Sequence, residues 1–151
     1  MTQLKVSFRE KILQFEEKFK KLPGALVGHE MDKEFAPLTH TFVDGAYVRE
    51  IFMKKGSLFT SKIHKKRHPY FVMKGKCSVM TEDGIKEIIA PFHGITEPGT
   101  KRVLYMHEDT VWITVHVTNE TDLEKIEEQV IAPSFDALPS NGKGELPCHG
   151  Q

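Results

Sequence analysis

Cysteine is scarce: of 151 residues two are cysteine, Cys77 inside a predicted strand and Cys148 near the end of the chain. A pair so placed builds no disulfide framework, and reduced thiols are expected, as in an intracellular protein. An excess of charge is missing as well, since 21 Lys and Arg are matched by 21 Asp and Glu. Without a basic field the chain lacks the electrostatic footprint of a general nucleic-acid or membrane-surface binder, which leaves small ligands and protein partners. No apolar run approaches the ~18–20 residues that cross a bilayer, and Met1–Lys5 does not lead into the apolar core of a signal peptide. A cytoplasmic location is therefore expected. Also absent are internal repeats, a glycine-rich phosphate loop and any Cys, His and Asp arrangement for nucleophilic catalysis. What is present, 39% hydrophobic and 28% charged residues, suffices for one globular domain with a real core.

Ser7-Phe8-Arg9-Glu10 has the form of a capping box and predicts a helix of about four turns. Phe8, Ile12, Phe15 and Phe19 recur at spacings of three and four, giving an apolar stripe, and Pro23-Gly24 ends this N-terminal helical segment, residues 1–24. From Thr41 the pattern changes to short β-type runs. Thr41–Val43 and Ala46–Met53 flank Asp44-Gly45, a strong hairpin signal. Leu58–His64, Tyr70–Met80, Ile85–Ile89, Phe92–Thr96, Arg102–Met106 and Val111–Val117 follow, separated by turn residues. About eight strands without an intervening helix predict a β-sandwich or small barrel. Thr121-Asp122-Leu123-Glu124 is a second capping-box pattern, opening a short acidic helix to about Gln129 that is expected to pack on the outside of the barrel. Residues 25–137 thus read as one β-domain with a short C-terminal helix, and 138–151 as a flexible tail.

Histidine is the informative residue. Five of the eight, His64, His68, His93, His107 and His116, fall in the strand-rich centre, where a barrel mouth could gather several. Neutral imidazoles with a carboxylate and an open position make a catalytic metal site. His64 and His68 bracket a strand boundary, so a turn could aim both rings at one point; paired surface histidines are the plain alternative. Lys65, Lys66 and Arg67 between them would repel a cation if they faced inward and attract an anionic substrate if they ringed the mouth.

Gly56, His64, His68 and Gly75 are spaced so that they resemble the first motif of the cupin superfamily. That motif is a glycine, two histidines one residue apart, a glutamate four after the second histidine and a glycine seven further on. The match puts Lys62 at the first histidine, His64 at the second and His68 at the glutamate. Pro98-Gly99-Thr100-Lys101-Arg102 resembles the second motif, with Arg102 at its histidine. The stretch from about Leu38 to Glu128, including Thr81-Glu82-Asp83-Gly84, Ala90-Pro91 and His107 through His116, is similar to a family of small cupin-like proteins of bacterial and phage genomes. The resemblance implies an all-β cupin jelly-roll barrel, commonly a homodimer, located in the host cytoplasm if phage-encoded.

Strand alternation puts Lys62 on the same face as His64, so an inward Lys62 must snorkel to the mouth or replace a metal cation. Arg102 cannot shed its proton and favours an anionic group. Val111–Val117 is expected to pair with Arg102–Met106 across the Glu108-Asp109 turn, and a three-residue loop there would set His116 opposite Arg102, a two-residue loop Val115. His116 is either an inward site residue or a hydrogen-bonded strand histidine. His93 could line the cavity, His107 reads as solvent-exposed, and His29, His40 and His149 read as structural. Trp112 is a core or interface aromatic or a ligand platform, and Tyr105 a packing or rim residue. Glu120–Glu128 reads as a solvated helix face.

The resulting expectation is a metal-binding cupin acting on or binding a small polar or anionic molecule, of oxygenase or isomerase type if it is an enzyme. Its divalent transition metal (Fe, Mn, Ni or Zn) would be held by His64, His68 and His116, and its ligand by Lys62, Arg102, Trp112 and Tyr105. The alternative is a metal-free binding or structural module for carbohydrate, carboxylate or nucleotide recognition, or for assembly.

Overall fold

Asp44-Gly45 makes the tight turn its sequence predicts. Gly45 takes φ +82°, and the strands on either side, β1 (Leu38–Val43) and β2 (Ala46–Met53), pair antiparallel from Val43 opposite Ala46 to Leu38 opposite Ile51. The computed structural model describes residues 2–22 and 36–138. After β2 come β3 (Leu58–Thr60), β4 (Ile63–His64), β5 (His68–Lys74), β6 (Lys76–Thr81), β7 (Gly84–Ile89), β8 (Phe92–Thr96), β9 (Val103–Met106), β10 (Thr110–Val117) and β11 (Ile131–Ala132), with α1 (Thr2–Phe19) before the sheets and α2 (Leu123–Val130) between β10 and β11. A five-stranded sheet, β1-β2-β10-β5-β8, faces a four-stranded sheet, β3-β9-β6-β7, and β4 pairs with β11. One apolar cluster joins the two sheets: Ile51, Val72 and Trp112 from the first meet Phe59, Cys77 and Met106 from the second. This is the all-β jelly roll, with a helix at each end, that the sequence predicts.

Two predicted strands are each split by the passage between sheets. Tyr70–Met80 is β5 and β6, with the chain turning at Gly75. There φ is +94°, and a Cβ would lie 2.3 Å from the Asp109 carbonyl oxygen, so only glycine lets the two corners cross back to back. Leu58–His64 breaks at Ser61, whose hydroxyl accepts from the Arg102 backbone N–H at 2.8 Å. The expected hairpin of Arg102–Met106 with Val111–Val117 does not form. At the corner after β9 the backbone N–H groups of His107 and Glu108 donate to Lys76 O, and β10 crosses to the other sheet, between β2 and β5.

Both helices differ from expectation in detail. α1 begins at Thr2, so Ser7 lies inside it and does not cap it; it ends at Phe19, and Pro23-Gly24 lies outside the described residues. Ile12 and Phe19 are buried, and Glu16 pins the helix to the barrel by accepting from Thr60 Oγ1 (2.6 Å) and Lys101 Nζ (2.8 Å). In α2 the cap is Asp122 and not Thr121: Asp122 Oδ1 accepts from the backbone N–H groups of Glu124 and Lys125. α2 lies over the end of the barrel, with Ile126 only 2% exposed, and not on its outside. No described helix is long and apolar enough to cross a membrane. Of the expected tail, residues 139–151 lie outside the described residues.

Candidate functional site

Alternation along the five-stranded sheet builds one wall of a cavity of about 300 Å³. Tyr47, Arg49, Ile51 and Met53 of β2 point into it, as do Trp112, Thr114 and His116 of β10. The register stacks these residues in rows: Tyr47 is opposite His116, Arg49 opposite Thr114, and Ile51 opposite Trp112. The rows continue into β5 and β8 with Thr114, Tyr70 and Gly94, and with Trp112, Val72 and Phe92. One end of this wall is therefore polar and basic, the other apolar. Gly94 makes room for Tyr70, whose hydroxyl would lie 2.6 Å from a Cβ there. The facing wall brings His64, Lys62, Arg102 and Leu104, and α2 closes the end with Leu123, Ile126, Glu127 and Val130.

The three histidines singled out from the sequence meet here. The ring centroids of His64 and His68 are 5.0 Å apart, and those of His68 and His116 4.4 Å. His68 Nδ1 donates to the Lys66 carbonyl, so its buried Nε2 carries a bare lone pair; Nε2 of His68 and Nδ1 of His64 have no hydrogen-bond partner among the described residues. His116 Nε2 shares a hydrogen bond with Thr114 Oγ1 at 3.0 Å. All three are held neutral. Burial, then the repulsion that a proton on His64 would meet from Arg102, Arg49 and any proton on His68 or His116, takes His64 well below the usual imidazole value. Burial, then His68 and Arg49, takes His116 to about 3. Burial also lowers His68, the Lys66 hydrogen bond opposing it.

Fixed charge in the cavity comes from arginine. Arg102 is 7% exposed, donates to Thr96 Oγ1 at 2.8 Å, and lies over the rings of Tyr70 (5.1 Å) and Trp112 (5.7 Å), which themselves stack 4.6 Å apart. Neither Arg102 nor Arg49 makes an ion pair among the described residues. Burial lowers both guanidinium groups, opposed at Arg49 by Tyr47 and the Glu127 carboxylate and at Arg102 by Tyr70. Lys62 reaches across the opening to Glu127 of α2, a salt bridge that latches the helix over the cavity.

Solved structures of the same architecture were found by comparison. An ectoine synthase from P. lautus superposes with a TM-score of 0.53 at 14% identity, over 68% of this chain and 78% of that one. A cupin 2 domain-containing protein from Halorhodospira halophila gives 0.51 at 13% identity, over 71% and 76%. The fold is that of the cupins. No protein-family model and no curated protein matches the chain.

Within this cupin barrel the two motif stretches run side by side on one wall of the cavity: the His64 N–H donates to the Thr100 carbonyl at 3.0 Å, and Lys62 and His64, before β5, lie beside Arg102, just before β9. Of the residues expected to bind ligand, Lys62, Arg102 and Trp112 line the cavity, whereas Tyr105 does not join them. It alternates outward on β9, 43% exposed, edge-on to His107. His93 is exposed beside Phe71, and His107, expected in solvent, is half-buried with Nε2 2.6 Å from Ser78 Oγ. His29 and His149 lie outside the described residues.

The sequence reading does not find the cavity residues His40, Tyr47, Arg49 and Glu127, among others. Tyr47, 4% exposed, has its hydroxyl 2.6 Å from Nδ1 of His40 on the edge strand β1, which had read as structural. Glu127, by sequence part of a solvated helix face, lines the cavity. The Tyr47, Arg49, Ile51 alternation was available in the sequence. A lone arginine in such a series ordinarily belongs to a solvated face, and only the position of β2 inside the sheet turns it inward.

Proposed function

We propose that the chain is a cupin that binds a small anionic molecule in the barrel cavity. One observation carries this reading: Arg102, buried, and Arg49, half-buried, present two guanidinium groups to one cavity, and neither has an ion pair among the described residues. Taking the Arg102 cation out of water without a direct ion pair costs several kcal/mol, and Arg49, which shares the cavity with the Glu127 carboxylate, makes no salt bridge to it. A ligand that brings the missing negative charge removes that cost. The planar fork of arginine meets a carboxylate or phosphate with two parallel hydrogen bonds, and the neutral histidines beside it add polar contacts without adding charge.

The test is a thermal-shift comparison at constant ionic strength. Acetate, malonate and phosphate are expected to raise the melting temperature of the parent protein, and glycerol and ethylammonium to leave it unchanged. An Arg49→Met/Arg102→Met variant is expected to lose the response. Equal shifts in parent and variant would defeat the reading.

A second reading, a divalent metal on His64, His68 and His116, is favoured by the bare nitrogens His64 Nδ1 and His68 Nε2. The donor set as arranged does not fit it. Among the described residues no three His, Cys, Asp or Glu side chains are placed to hold one ion, His116 Nε2 is engaged by Thr114, and two arginines supply positive charge where a metal needs carboxylate. Metal analysis of untagged parent and of a His64→Ala/His68→Ala variant separates the readings: one equivalent, lost in the variant, would favour the metal. The homodimer expected from the resemblance would cover the free edge of β1, and sedimentation velocity tests it.

A further inference from the structure

The cavity is polarised along its length. Going down β2 and β10, the row Tyr47–His116 and the row Arg49–Thr114 are polar, and the next, Ile51–Trp112, is apolar. Successive rows on one face of a strand are about 7 Å apart. Met53 and Leu104 extend the apolar end. The closing helix, beside the polar rows, turns Leu123, Ile126 and Val130 to the cavity, and its Glu127 is held by Lys62 and acts on Arg49. A simple inorganic anion would satisfy the guanidinium groups and leave the apolar part of the space with water that has few polar partners. A sugar would place hydroxyl groups against walls that offer them none. At about 300 Å³ the space lies at the small end of the range for small-molecule sites.

Resting on the anion-binding reading above, we propose a ligand class: an acid with an apolar body. Its carboxylate or phosphate is held by Arg49 and Arg102, and its aliphatic or aromatic part lies against Ile51, Leu104 and Trp112. Arg102, stacked over Trp112, stands at the junction of the two halves and fixes where the head ends and the body begins. The spacing of the rows suits a body of about five carbon atoms beyond the head. Trp112 is the single tryptophan of the chain and lines the cavity, so its emission reports occupancy directly.

The experiment titrates the full-length protein with acetate, butyrate, hexanoate, octanoate, benzoate, hexyl phosphate and hexanol, following Trp112 fluorescence and, independently, calorimetric heat. Affinity is expected to rise about fourfold per added methylene from acetate to hexanoate, the increment for burying one CH₂. Hexanol, with the body and no charge, is expected to bind at least about 30-fold more weakly than hexanoate, and hexanoate against hexyl phosphate identifies the preferred head. In Arg102→Met all the acids are expected to weaken together with the chain-length slope unchanged. Acetate or inorganic phosphate binding as tightly as hexanoate would overturn the apolar body and leave the anion seat standing. No response to any acid by either method would overturn both.

Discussion

Replacing Arg102 by methionine separates a residue kept for binding from one kept for stability. The side chain is 7% exposed without an ion pair among the described residues, so folding removes its charge from water at a cost of several kcal/mol, of the order found for buried ions. Against this stand one charge-assisted hydrogen bond to Thr96, about 1.5–3 kcal/mol, and cation–π contacts with Tyr70 and Trp112, about 1–2 kcal/mol each. The two sides nearly cancel. Methionine keeps most of the volume, and its thioether packs on the same rings. Arg102→Met is therefore expected to change the unfolding free energy by no more than about 1 kcal/mol in either direction. Its affinity for hexanoate should fall by at least about 30-fold, the lower end for stripping one partner from a desolvated charge pair. Urea unfolding followed by circular dichroism, with calorimetric titration of the same preparations, measures both. A loss of more than about 3 kcal/mol with unchanged acid affinity would show that Arg102 holds the barrel together and serves no ligand.

Three further outcomes follow from the same contacts. Because the folded-state values of His64, His68 and His116 lie below those of the unfolded chain, their contribution is complete above about pH 6.5. It is lost as pH falls toward the folded values, by about 1.4 kcal/mol per unit for each histidine protonated only on unfolding; His116→Gln should flatten the urea-midpoint profile between pH 6 and 4, and an unchanged profile would contradict the burial of that ring. Glu16→Gln leaves the ammonium of Lys101, 7% exposed, without its carboxylate, and should cost about 3 kcal/mol and expose α1 to limited proteolysis; undiminished protection would refute the pinning. Gly75→Ala, with a Cβ 2.3 Å from Asp109 O at φ +94°, should cost roughly 3 kcal/mol or more in urea, and a neutral result would mean the corner can relax.

Local chemistry wrote much of this fold into the sequence. The Asp44-Gly45 turn, the boundaries of β2 and β8 and the inward pair His64 and His68 follow from turn residues, alternation and the spacing of Gly56 and Gly75. What escaped depends on which strands become neighbours. A short connection between Met106 and Val111 reads as a hairpin, and only the crossing at Gly75 and Lys76 sends β10 to the other sheet. His116 still faces the cavity, opposite Tyr47 and not Arg102. Tyr105 was lost for the opposite reason: alternation on β9 turns Leu104 and Met106 inward and leaves the tyrosine outside. Arg49 and Glu127 become site residues only through sheet order and helix placement, which no local pattern encodes.

The anion seat itself is tested most directly by diffraction from crystals soaked in 4-bromobenzoate. The account expects carboxylate density within hydrogen-bonding distance of Arg49 or Arg102 and a bromine anomalous peak beside Ile51 and Trp112. A bromine peak outside the barrel, or a cavity holding a metal ion on His64 and His68 with both arginines turned away, would contradict it.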